Sequence, residues 1–84
     1  MPYFVYLVEC SDQTLYTGIA TDLERRLSEH NSSTKGAKYT RARRPVKLVY
    51  SEEYENRSEA SKREYAIKKK MSRKEKISMI KAQF

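Results

Sequence analysis

A single cysteine, Cys10, stands among 84 residues, and a single histidine, His30, accompanies it. No internal disulfide is possible, and one Cys with one His cannot build a tetrahedral zinc site. A reducing, cytoplasmic setting is expected. No apolar run approaches the roughly 18 residues that a membrane span requires, and the opening Met-Pro-Tyr-Phe lacks the basic and apolar regions of a signal peptide. No membrane partner is therefore expected. Repeats and low-complexity linkers are also absent. A chain of 84 residues with 38% hydrophobic content supports one small domain, residues 1–84, around a single modest core. A monomer is the default expectation.

Acidic residues are missing from Lys35 to Lys47, while Lys35, Lys38, Arg41, Arg43, Arg44 and Lys47 all fall there. Residues 1–34 sum to −3 and residues 35–84 to +10, giving the net charge of +7. Such a surface suits a polyanion such as nucleic acid, and it also suits simple solvation. Basic groups interleaved with Tyr39 and Thr40 have the chemistry of a phosphate-backbone contact, because the cations neutralise charge and the hydroxyls donate hydrogen bonds. Lys35, Lys38, Tyr39, Thr40, Arg41, Arg43 and Arg44 are accordingly the candidate nucleic-acid-binding residues.

What is present reads as an α+β chain. Tyr3 to Cys10 is aromatic, β-branched and apolar on both faces, which predicts a well-buried strand. Ser11-Asp12-Gln13 forms a turn, and Thr14 to Gly18 returns to complete a hairpin. A turn at Gly18 then leads to a helix that begins near Thr21 or Asp22. On that helix Leu23 and Leu27 form an apolar stripe, and at about 100° per residue Arg26 and His30 fall beside it. Asn31 to Arg44 reads as a polar loop. Pro45 opens a third strand from Val46 to Tyr50, with Ser51 to Glu55 as an acidic exit. Asn56 or Ser58 caps the next helix, which ends near Lys70, and Ser72 with Glu75 forms a capping box for a last helix. On that helix Ile77, Met79, Ile80 and Phe84 are expected to pack onto the sheet.

Glu64 is the most informative residue of the later helix. It lies in the middle of the stripe formed by Ala60, Ile67 and Met71, and a carboxylate on a core-facing side costs several kcal/mol unless paired, hydrogen-bonded or metal-bound. A pairing with Arg26 or a tyrosine hydroxyl satisfies that requirement, and so does a ligand or catalytic role.

With these residues in place, the chain resembles the GIY-YIG nuclease superfamily, in particular its small stand-alone members. The two name-giving motifs appear as Phe4-Val5-Tyr6 and Tyr16-Thr17-Gly18. Arg26 follows the glycine by eight residues, and His30 comes four later. Ala60-Ser61-Lys62-Arg63-Glu64 matches the motif with the family's metal-binding glutamate. Gly36 to Thr40, continued by Arg41 to Tyr50, matches the stand-alone group. Phe4 and Thr17 replace a glycine and an isoleucine, Ile19 stands where some members have lysine, and no asparagine follows Asn56, in the C-terminal part where many family nucleases have one.

The resemblance implies a three-stranded antiparallel sheet flanked by helices, in the order β-β-α-β-α-α. It also implies hydrolysis of a nucleic-acid phosphodiester, DNA first, with one divalent cation, Mg2+ or Mn2+, in repair or recombination. Carried over, Glu64 holds the metal, Tyr16 is the general base for the attacking water, and Tyr6 positions it. Arg26 contacts the scissile phosphate and His30 assists proton transfer. A phenol titrates near 10, so it serves as a base only where a metal or cation favours the phenolate. A basic nucleic-acid-binding domain that keeps the fold and lacks cleavage is the competing expectation.

Overall fold

A computed structural model describes residues 2–83. The elements are β1 (Tyr3–Glu9), β2 (Leu15–Ala20), α1 (Leu23–Ser32), α2 (Lys38–Arg41), β3 (Lys47–Tyr54), α3 (Arg57–Lys70) and α4 (Arg73–Gln83). The β-β-α-β-α-α order holds, with the four-residue α2 added inside the segment expected to be a loop.

The sheet is antiparallel with the order β2-β1-β3. A central strand buries both faces, which is why β1 is apolar at successive positions. Val5 and Leu7, both 0% exposed, join Ala60 and Ile67 under α3 and α4, with Ile19, Met79 and Ile80 packed around them. Tyr6 and Val8 point the other way and form a second cluster with Cys10 and Val46, backed by Leu23 and Leu27 of α1. The result is three layers: α1, the sheet, then α3 with α4. Burying each large apolar side chain of this kind contributes roughly 1.5–3 kcal/mol. Met79 and Ile80 pack as expected, whereas Phe84 lies outside the described residues.

The helix starts follow their capping chemistry. Asp22 accepts from the Arg25 N–H at 3.1 Å, and Asn56 from the Glu59 N–H at 2.9 Å. Ser72 and Glu75 exchange hydrogen bonds of 2.9 and 3.1 Å, completing the capping box. No helix among the described residues is long and apolar enough to cross a membrane.

Two expectations are corrected. Gly18 is not a turn residue but a mid-strand residue of β2, opposite Tyr6. The strand continues to Ala20 because the glycine answers a packing need and not a need to bend. The acidic exit is likewise strand, since β3 runs to Tyr54. There Glu52 faces α3 and receives Arg63 Nε and Nη2 at 2.9 and 3.0 Å, together with the hydroxyls of Tyr50 and Tyr54. Arg63 and these hydroxyls hold the Glu52 carboxyl below its usual titration range despite burial. An acid satisfied in this way can sit on the inward face of a strand.

Candidate active site

Tyr6 is the centre of the site, and Gly18 makes room for it. A Cβ on Gly18 would stand 2.5 Å from the Tyr6 hydroxyl oxygen and 2.7 Å from its Cζ. The phenol therefore lies across β2, and only glycine leaves space beneath it. Its hydroxyl reaches His30 Nε2 at 2.7 Å. On the far side of the ring His30 Nδ1 meets Thr40 Oγ1 at 2.9 Å, and the Thr40 hydroxyl donates to the Ala37 carbonyl at 2.8 Å. The Ala37 N–H approaches the same Nδ1 at 3.3 Å. Nδ1 thus faces both the Thr40 hydroxyl and the Ala37 N–H, and Nε2 faces the Tyr6 hydroxyl, so both ring nitrogens are satisfied.

Both His30 and Thr40 are completely buried. Burial, joined by the cations of Arg26 and Arg44, lowers the His30 pKa to about 4, so the imidazole is neutral at pH 7. His30, expected to assist proton transfer, is enclosed and touches Tyr6 and Thr40 and not solvent. Tyr6 is itself only 2% exposed. Desolvation dominates in pushing its pKa up to about 12; the Arg26 guanidinium pulls it down, and the groups at Tyr16 and Glu64 push it up. Arg26, Tyr16 and Glu64, from α1, β2 and α3, thus all act on one hydroxyl.

Tyr16 is half-buried, with its ring edge-on to His30 (centroids 5.4 Å apart, 69°) and stacked on Tyr39 (5.9 Å, 22°). The Lys68 ammonium lies 5.9 Å from the Tyr16 centroid. Arg26 uses Nη1 for Glu29 Oε1 at 3.0 Å and for the Lys35 carbonyl at 2.9 Å, which aims its half-buried guanidinium. Beside it, a cavity of about 260 Å3 opens where Asp22, Arg25, Arg26, Glu29 and Arg57 meet. It shares only Arg26 with the groups around Tyr6.

Glu64 is where helical phase and depth part company. Ala60 and Ile67 are fully buried, but Glu64 is only partly so. It lies at the margin of the stripe, and among the described residues it has no salt bridge or hydrogen bond. No group of three or more His, Cys, Asp or Glu side chains among the described residues could cage a metal. A lone half-hydrated carboxylate nevertheless suits a hard cation such as Mg2+, which commonly keeps several waters and takes substrate phosphate as further ligands.

The basic segment divides. Arg44 turns inward, where Nε donates to the His30 carbonyl at 2.6 Å and Nη2 to the Ser33 carbonyl at 2.5 Å, closing the C-terminal end of α1. Thr40 is buried beneath His30. Thr40, fully buried, presents no surface to a phosphate, whereas Arg44 is half-buried with Nε and Nη2 turned to backbone carbonyls. Arg43 is paired with Asp12 at 3.0 Å and lies 3.9 Å over the Tyr39 ring. Lys35, Lys38, Tyr39 and Arg41 remain exposed. Lys68 was missed, although its position four residues after Glu64 places it on the same helical face. Asp12 gave no signal, since its partner is thirty-one residues away.

The fold is a three-stranded antiparallel sheet with helices on both faces, which holds Tyr6 against His30. Residues 2–77 match the GIY-YIG catalytic domain, and the chain belongs to the GIY-YIG family. It is 62% identical over 80 residues to the UPF0213 protein DP2720 of Desulfotalea psychrophila, covering 95% of this chain and 72% of that one. It is 58% identical over 78 residues to a UPF0213 protein of Syntrophus aciditrophicus, covering 93% and 88%. The solution NMR structure of protein EF2693 from E. faecalis superposes with a TM-score of 0.66 at 45% identity, covering 99% of this chain and 86% of that one. That of the UPF0213 protein BH0048 from Bacillus halodurans gives 0.63 at 41%, with the same coverage.

Proposed function

We propose that the protein is a divalent-metal-dependent endonuclease that hydrolyses phosphodiester bonds of nucleic acid, DNA in the first instance, in cytoplasmic repair or recombination. The observation that carries this reading is the buried Tyr6 hydroxyl, held by His30 at 2.7 Å, in a chain whose residues 2–77 match the GIY-YIG catalytic domain. Hydrolysis of a phosphodiester needs a positioned water, a proton acceptor, a cation for the charge on the phosphoryl oxygens, and a metal ligand. Tyr16 accepts the proton of the attacking water and Tyr6 orients that water. Arg26, a permanent forked cation, binds the scissile phosphate. Glu64 holds Mg2+ or Mn2+, which when bound neutralises phosphate charge and lowers the pKa of water. His30 keeps Tyr6 in place through its neutral ring.

Purified protein is expected to nick plasmid DNA in Mg2+ or Mn2+, and Glu64→Gln to abolish nicking while DNA binding persists. Equal residual nicking by the variant would defeat the catalytic assignment. Binding without nicking by the wild type would favour a basic binding domain built on the same fold.

A further inference from the structure

Beside the Tyr6 site, four side chains form a column. Lys68 lies against the Tyr16 ring, Tyr16 stacks on Tyr39, and Arg43 covers Tyr39 with its Cζ 3.9 Å from the ring centroid. Arg43 is pinned in that position. Its Nε donates to Asp12 Oδ2 at 3.0 Å, its Nη1 donates to the Tyr39 carbonyl at 3.0 Å, and its own carbonyl accepts from the Ser11 N–H at 2.9 Å. With Nε and one Nη1 proton committed and its charge matched by a carboxylate, Arg43 is a weaker phosphate ligand than an arginine that presents its whole fork. A planar, weakly hydrated cation backed by an aromatic ring is instead a surface on which a nucleobase stacks.

Both groups reach the surface: Tyr39 is 37% exposed and the Arg43 side chain 34%. They line an open hollow of about 750 Å3 together with Lys38, Arg41 and Ala42. Lys38 and Arg41 are exposed and, among the described residues, have no salt bridge, so they keep their donors for phosphates on either side of a stacked base.

We propose that the outer face of the Tyr39–Arg43 stack is a subsite for one unpaired nucleobase, with Lys38 and Arg41 on the flanking phosphates. The substrate class is then nucleic acid with a single-stranded segment next to the reacting phosphate, since bases within a duplex are covered by their neighbours. Tyr16 belongs both to this column and to the proposed catalytic set, which puts the stacked base on the same side of the molecule as the bond to be cut, two layers (5.9 and 3.9 Å) out from the Tyr16 ring. The inference rests on the nuclease reading only in taking nucleic acid as the ligand.

The test is fluorescence anisotropy in EDTA, so that nothing is cut, with two labelled strands about 12 nucleotides long: oligothymidylate and a fully abasic strand with the same phosphates. Wild type is expected to bind oligothymidylate roughly tenfold more tightly. Arg43→Lys, which keeps the charge but loses the plane, and Tyr39→Leu are expected to bind both strands equally, with an unchanged salt slope. Arg43→Lys is the deciding variant if Tyr39→Leu fails to fold. Equal binding of the two strands by wild type would overturn the subsite and leave the nucleic-acid reading standing, and so would a preference that survives in Arg43→Lys. Failure of wild type to bind either strand would overturn both.

Discussion

Replacing Gly18 with alanine tests the geometry of the Tyr6 site most directly. The new methyl would stand 2.5, 2.7 and 3.0 Å from Oη, Cζ and Cε2 of Tyr6. Ordinary carbon contacts lie at about 3.5–4.0 Å, so the ring must move by about 1 Å. It has nowhere to go, since His30 above it is fully buried and bonded to it at 2.7 Å. Overpacking costs about 1–3 kcal/mol, and a buried polar pair pulled apart costs about 1–3 kcal/mol more. Alanine returns roughly 0.5–1 kcal/mol of backbone entropy. The expected net loss is about 2–4 kcal/mol, a large share of the roughly 4–13 kcal/mol total for a chain of this length. Urea unfolding followed by far-UV circular dichroism, with a slope of roughly 1 kcal/mol/M, should show the midpoint falling by about 2–4 M. In a Tyr6→Leu background, which lacks Cζ and the hydroxyl, the same substitution should cost little. A midpoint within about 0.5 M of wild type, or equal losses in both backgrounds, would refute the packing argument.

Three further expectations follow from the same geometry. The His30 pKa falls from 6.5 to about 4 on folding, so below pH 6.5 the unfolded chain takes up a proton that the folded one refuses. Stability should drop between pH 6.5 and 4 by up to about 3 kcal/mol and this contribution should level off below 4; His30→Gln should lack it, and an identical pH profile for the variant in urea titrations would disprove it. Thr40→Val removes the hydroxyl hydrogen-bonded to His30 Nδ1 and should slow nicking by up to about 100-fold through misplacement of Tyr6, while Thr40→Ser keeps most activity. Equal rates for Val and Ser would show that the hydroxyl is irrelevant. Arg44→Gln should cost about 1–3 kcal/mol of stability and leave the salt dependence of DNA binding unchanged, whereas Arg41→Gln should reduce that salt slope by about one; the reverse pattern in binding and melting measurements would return Arg44 to the DNA surface.

The three-stranded sheet was legible because its central strand and helix caps are written locally. β1 reads apolar on both faces, and Asp22, Asn56 and the Ser72/Glu75 pair sit within four residues of the groups they satisfy. Long-range pairing was hidden. Ser51 to Glu55 looks like a solvated exit until Arg63, eleven residues beyond Glu52, neutralises it. Gly18 illustrates another limit, because a glycine in a sequence does not distinguish a bend from the close approach of a ring. Helical arithmetic put Glu64 on the correct side of α3 but gave no depth. It also put His30 beside an apolar stripe, without Thr40 and Tyr6 to enclose it. The residue types around Tyr6 were therefore readable, while the order in which they touch was not.

The position of β2 at the edge of the sheet has a consequence for self-association. An edge strand offers unpaired backbone groups to any second strand that reaches it. Lys68 of α3, its ammonium 5.9 Å from the ring of Tyr16 on β2, puts a cation beside that strand. A charge held beside a strand edge opposes the docking of a further strand. Removing the Lys68 ammonium therefore leaves β2 more open to pairing with a second copy of the chain.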